Sequence, residues 1–158
     1  MIERCLMRPR ALLDLLNHCR SVAINLRHER IEESDFRKGV AAFSADLLAE
    51  IGLEIRDVLV EAENVLYEFI GSKERMPSSD VEAILSKVSG SEQERDAFLE
   101  ILLWYGVLGL VRLDGEVTYI YSVSYDLHRL LAVRQRLKES GLVYAINPAF
   151  VAGLDVEV

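Results

Sequence analysis

The chain has 158 residues, 51% of them hydrophobic, and a formal net charge of −8. This composition excludes a disordered tail, leaves enough chain to bury a real core, and gives no surface that draws nucleic acid by charge alone. Residues 1–77 hold 11 Lys+Arg against 14 Asp+Glu, and residues 78–158 hold 7 against 12, so neither half is a basic module hidden by an acidic one.

The first element is a helix over residues 9–27. Leu12, Leu13, Leu15, Leu16, Cys19, Val22, Ala23 and Leu26 recur at helical steps. It opens at Arg8-Pro9-Arg10, where proline suits the first helical turn. Arginines are poorly placed there for the helix itself, because the positive end of the macrodipole prefers anions. Two readings stay open from these residues alone: solvated arginines around a helix start, or cations awaiting an anion supplied from elsewhere, such as a nucleotide phosphate.

Residues 30–36 read as a connector, with Ser34 as the cap of the next helix. From 34 to 70 helices follow almost without a breaker. Phe36, Val40, Phe43, Leu47, Leu48 and Ile51 form one apolar face, and Ile55, Val58, Leu59, Ala62, Val65, Leu66, Phe69 and Ile70 form another beyond a possible break at Gly52. Gly71 is the stop, and residues 72–79 look like a boundary.

Ser79 should cap a short helix that buries Val81, Ile84, Leu85 and Val88. The next helix, 92–105, carries Ala97, Phe98, Ile101, Leu102 and Tyr105 as its expected buried stripe. Gly106 and Gly109 bracket a turn into Leu110–Leu113, Asp114-Gly115 makes a hairpin turn, and Val117–Val123 reads as the returning strand. A helix over 126–139, an extended stretch over 142–146 and a last short helix from Pro148 to Leu154 complete the chain.

Helix, helix, hairpin is the order of a winged-helix domain, with the hairpin as the wing. The fold class expected is mainly α: a helical, lid-like bundle followed by a winged-helix domain with a small β-hairpin wing. The division expected is 1–55 and 56–158, with an alternative break at 72–79.

No catalytic constellation stands out. No Walker-type phosphate loop occurs, since Gly71-Ser72-Lys73 lacks the upstream glycine and strand. His18, His28 and His128 are scattered, Cys5 and Cys19 have neither a metal-ligand nor a disulfide-framework spacing, and Glu32-Glu33 and Glu61/Glu63 read as solvated helix ends. No metal site and no cofactor held by this chain alone are expected. There is no apolar run of the roughly 20 residues a membrane span needs and no signal-peptide pattern, so a soluble, cytoplasmic, non-enzymatic chain is expected. Duplex binding through the 92–105 helix is disfavoured, because it offers Glu92, Glu94, Asp96 and Glu100 against Arg95.

Taken together, Arg10-Ala11-Leu12-Leu13-Asp14-Leu15-Leu16 and Ile31-Glu32-Glu33-Ser34-Asp35-Phe36 resemble the C-terminal part of AAA+/STAND-type P-loop ATPases, the class that includes origin-recognition-like proteins. In that class a helical lid follows the nucleotide-binding core, its first helix often starts with a sensor-2 arginine, and a winged helix follows the lid. Here Arg8-Pro9-Arg10 stands in place of the Gly-Asp-x-Arg run. The resemblance implies a regulatory or protein-interaction module. Arg10, and second to it Arg8, would sense ATP bound by a core domain, which is then the expected partner. Two other readings remain open: a stand-alone winged-helix DNA-binding regulator, and a helical scaffold or oligomerisation protein.

Overall fold

A computed structural model describes residues 2–62 and 64–157; the expectation for Glu63 lies outside the described residues. After a 3-10 turn at Ile2–Cys5, two long antiparallel-reading helices dominate the first third: α1 (Pro9–Asn25) and α2 (Glu33–Val58). α1 buries Leu15, Cys19 and Ala23 against α2, which returns Val40, Phe43, Leu47 and Ile51 to the core.

α2 does not begin as expected. Its cap is Glu32, not Ser34: the Glu32 side chain accepts from the Asp35 backbone and the Asp35 carboxylate accepts from Glu32 N at 2.9 Å, a reciprocal capping box. The helix then runs straight through Gly52. It ends where Leu59 turns extended (φ −147, ψ 99), and Val60–Ala62 and Val65–Phe69 form 3-10 turns where further α-helix was expected.

Residues 72–79 carry structure of their own, with β1 at Arg75–Pro77. Helices α3 (Ser78–Ser86) and α4 (Glu92–Trp104) follow. α4 buries Phe98, Leu99, Leu102 and Leu103, whereas Ala97 faces solvent, so the inward stripe is rotated from the one expected. Gly106, at φ +70, reverses the chain into β2 (Leu108–Val111), and β3 is short (Val117–Thr118).

The expected strand over 117–123 stops at Thr118 because Tyr119 turns inward. Its hydroxyl donates to Ile146 O at 3.3 Å, and its ring covers Gly109 so closely that a Cβ there would meet Cε1 at 2.5 Å. Ser122 N then bonds Tyr119 O, and Ile120–Val123 closes into a 3-10 turn. α5 (Leu127–Lys138) and β4 (Val143–Ile146) follow.

The sheet order is β1-β4-β2-β3, all neighbours antiparallel. β4 therefore lies between β1 and β2, with Met76 opposite Tyr144 on one side and Leu110 opposite Tyr144 on the other. Arg134 of α5 is fastened to this strand: its Nε donates to the Tyr144 hydroxyl at 2.9 Å, and Nη2 lies 3.5 Å from Asp96 of α4.

Residues 148–154 form hydrogen-bonded turns in place of the expected last helix. Side chains take the groups a helix would pair: Asn147 Oδ1 accepts from Ala149 N, Ser44 Oγ donates to Ala149 O at 2.6 Å, and Gly153 N donates to Ser44 Oγ at 2.8 Å. One cluster of buried apolar side chains runs from Cys5 and Leu15 through Ile51, Phe69 and Phe98 to Phe150 and Val156. The fold class is mainly α with a small β region.

Candidate functional site

The segment before α1 is anchored at one end and displayed at the other. Cys5 and Leu6 are buried, and Arg4 Nη1 reaches Pro148 O at 3.5 Å. Leu6 and Met7 then take left-handed backbone conformations (φ +50 and +54), which L-residues adopt at a cost of about 1–2 kcal/mol each. Such strain persists only where surrounding structure imposes it, and here the buried Leu6 does so. The double turn throws Arg8, Pro9 and Arg10 onto the surface at the start of α1.

Arg8 is the N-cap residue, with extended backbone and no side-chain cap, and Pro9 occupies the first helical position. The first turn of α1 contains no acidic residue. Neither Arg8 nor Arg10 makes a side-chain hydrogen bond or an ion pair with a described residue. The two differ in surroundings. Arg8 lies in the field of Tyr105, whose hydroxyl reaches Glu54 O at 3.4 Å. Burial pushes the Tyr105 phenol up, Glu54 and Asp57 add to that, and Arg8 opposes it. Arg8 thus shares the surroundings of Tyr105 with Glu54 and Asp57, and Arg10 stands four residues before Asp14 on α1. A planar, permanently charged guanidinium held out in this way can take an oxyanion brought to it.

One flank of this helix start is acidic. A groove of about 330 Å³ between α1 and α2 is floored by Ala11, Phe43 and Leu47 and rimmed by Asp14, Asp46 and Glu50. His18 stands in it, with Nε2 3.3 Å from Asp46 and its ring edge-on to Phe43.

The histidines are not brought together. His28 Nδ1 lies 2.8 Å from Asp35 Oδ2 and 3.1 Å from Oδ1, at the turn joining α1 to α2. Asp35 is fully buried, and the Glu32 amide and His28 hold its carboxyl below the usual range. The same pairing lifts His28 above the ordinary imidazole value against the opposing effect of its desolvation. The sequence reading missed this clasp, although His28, Glu32 and Asp35 are spaced four and three residues apart, as neighbours on a turn would be. Among the described residues, no group of three or more His, Cys, Asp or Glu side chains could hold a metal ion.

On α4, Glu92, Glu94 and Asp96 face solvent and Arg95 is tied to Ser89 O at 3.1 Å. In the hairpin turn, Arg112 is engaged by Asp114 at 3.0 Å and Glu116 at 3.7 Å. Among the described residues, no helix is long and apolar enough to cross a membrane.

Residues 1–52 match the family model of a FunZ-associated C-terminal helical domain. The matched segment takes in the anchored N-terminal turn, α1 and most of α2, one third of the chain. Among curated proteins and among solved structures nothing matches. The first third is thus similar to a helical, C-terminal accessory domain, and it contains both arginines singled out above.

Proposed function

We propose that the chain is a helical lid and winged-helix module of an AAA+/STAND-type P-loop ATPase. It performs no catalysis itself and couples the nucleotide state of a core supplied elsewhere to contacts with partner proteins in the cytoplasm. Arg10 is the sensor for the terminal phosphate of ATP bound by that core, and Arg8 is the second candidate. The observation that carries this reading is Arg10 itself, an exposed guanidinium with no hydrogen-bonding or ion-pair partner among the described residues, presented in the first turn of α1 by an anchored, strained turn. The similarity of residues 1–52 to a FunZ-associated C-terminal helical domain supports the placing of that turn in an accessory module.

The winged-helix part of the reading draws on the order β1, α3, α4, β2, β3 and on the antiparallel sheet that closes against α4. It carries one departure: β4 occupies the place beside β1 that a hairpin's return strand would take, and α5 is inserted before it. Binding of duplex DNA through α4 gains nothing from its three solvent-facing carboxylates.

Calorimetry with MgATP tests the division of labour. The chain alone should give no binding heat, and micromolar affinity would defeat the assignment of the nucleotide to a separate core. In a full-length protein carrying such a core, Arg10→Ala should lower ATP turnover or its coupling while leaving ADP affinity largely intact. Arg10→Lys should restore little, because bidentate recognition is lost.

A further inference from the structure

The two faces of the sheet differ in character. Met76, Tyr144 and Leu110 stand side by side across β1, β4 and β2 and enter the core. One residue along, Arg75, Ala145 and Gly109 form the next row, which belongs to the opposite face. Gly109 has no side chain in this row, and the Tyr119 ring occupies the space. Tyr121 stacks on Tyr119, with ring centroids 5.3 Å apart and planes inclined at 27°. Beside the pair, the turn before α1 and the β2–β3 hairpin border a cavity of about 510 Å³.

Two rings and an excess of negative charge line this cavity. Both phenols are directed to protein partners: Tyr119 donates to Ile146 O at 3.3 Å, and Tyr121 accepts from Asn147 Nδ2 at 3.4 Å. The tyrosines therefore offer the cavity ring surface. Three carboxylates, Glu3, Glu74 and Glu116, share the lining with one guanidinium, Arg75. Arg75 donates to Gly115 O at 3.3 Å, and Glu116 lies 3.7 Å from Arg112. Glu3 and Glu74 make no side-chain hydrogen bond or ion pair with a described residue. Their field reaches the rings. Burial pushes the Tyr119 phenol up, and Tyr121, Glu74 and Glu3 push it further, with Arg75 opposing.

We propose that this cavity binds a guanidinium group, stacked against the tyrosine pair and hydrogen-bonded by Glu3 and Glu74. Two separate features select that chemistry. A ring face attracts a cation, and a carboxylate without a partner takes the N–H fork of a guanidinium in bidentate fashion. An ammonium would match the charge but not the fork, and it gives up its hydration less readily. A metal ion finds no ligand set, since among the described residues no three His, Cys, Asp or Glu side chains are placed to hold one. The volume lies within the range of small-molecule sites. Such a group arrives on a free small molecule or on an arginine side chain of a partner, and the two sources are separable by experiment. The inference goes beyond the nucleotide reading and requires neither ATP nor Arg10.

The probes are butylguanidine, butylamine and butyrate, each titrated into the full chain and followed by the NMR resonances of the tyrosine rings. Butylguanidine should shift the Tyr119 and Tyr121 signals saturably, butylamine should bind about tenfold more weakly, and butyrate should leave them unmoved. Glu74→Gln should weaken butylguanidine about tenfold, as the loss of one charge-assisted hydrogen bond would. Tyr121→Leu should abolish binding and Tyr121→Phe should retain it. Should the leucine variant lose its fold, as circular dichroism would show, Glu3→Gln combined with Glu74→Gln decides the matter. Arg10→Ala should bind as the parent does. A blocked Gly-Ser-Arg-Ser-Gly peptide separates the sources: tighter binding than butylguanidine assigns the cation to a partner protein, weaker binding to a free small molecule, and either outcome upholds the site. No saturable shift with butylguanidine, equal affinity for butylamine, binding of butyrate, or full retention in the doubly substituted glutamine variant would overturn the inference.

Discussion

Gly39 and Cys19 meet so closely that a Cβ on Gly39 would stand 2.6 Å from Cys19 Sγ and 2.7 Å from both its Cα and its N. The backbones of α1 and α2 are in near contact there, and the obstructing atoms are main chain, which cannot swing aside. Gly39→Ala gains helix propensity but must push the helices apart. The second effect should win, with a net loss of about 2 kcal/mol. Urea unfolding of the two proteins measures it; an alanine variant as stable as the parent would show that the helices separate freely.

Ser44 ties α2 to the C-terminal turns, donating to Ala149 O and accepting from Gly153 N while itself buried. Ser44→Ala leaves a carbonyl and an amide without their partner in the interior. The cost should be about 2 kcal/mol, seen as a lower urea midpoint at unchanged slope.

α1 ends in a Schellman arrangement: His28 N bonds Ala23 O and Arg27 N bonds Ile24 O, with Arg27 left-handed at φ +60. Glycine is the usual residue there, and arginine bears the strain of its Cβ. Arg27→Gly should stabilise the protein by about 1 kcal/mol, corresponding to a rise of about 2–4 °C in midpoint temperature. No rise would mean that the Arg27 side chain makes a compensating contribution.

The His28–Asp35 clasp makes stability depend on pH in a defined direction. His28 titrates above its ordinary value when folded, so its contribution is complete below about pH 6.5 and is lost as pH rises through the raised folded value. Asp35 titrates below its ordinary value, so its contribution is present above about pH 4 and is lost as pH falls through the lowered folded value. Stability from this pair should therefore peak in mildly acidic solution and decline as pH rises through the raised value of His28. Urea midpoints at three pH values check the trend, and His28→Gln should remove the alkaline part of it. An unchanged profile in that variant would assign the pH dependence to other groups.

Arg10→Ala should leave stability within about 0.5 kcal/mol of the parent, because the side chain is exposed and touches nothing charged among the described residues. Thermal unfolding checks this directly. A larger loss would make Arg10 a structural residue and remove its availability to an external anion.

The helices α1, α2 and α4 were legible because their apolar residues recur at helical steps, and Gly71, Gly106 and the Asp114-Gly115 turn signalled true breaks, whereas Gly52 signalled one inside α2 that does not occur. What escaped the sequence depends on distant partners. Arg27 gives no C-terminal signal, so α1 reads as two residues too long. Val117–Val123 has the composition of a strand, yet Tyr119 is drawn inward by Gly109 and Ile146 O. Residues 148–154 have the look of a helix, but Ser44, more than 100 residues earlier, takes their hydrogen bonds. For the candidate site, Arg8 and Arg10 were identifiable from the proline turn. The left-handed pair Leu6–Met7 that projects them has no glycine to announce it, and the His28–Asp35 clasp becomes visible only once the turn between α1 and α2 is built.

The position of β4 has a consequence for how the molecule is made. β4, one of the sheet's two inner strands, is the last strand among the described residues, so β1 at residues 75–77 and β2 at residues 108–111 have no common partner until residue 146 has emerged from the ribosome. During synthesis, α1 and α2 can pair early, through neighbours close in sequence, while the sheet must wait. A chain ended at about residue 140 should therefore keep its helical hairpin protected from proteolysis while β1, which pairs with β4, stays open to cleavage.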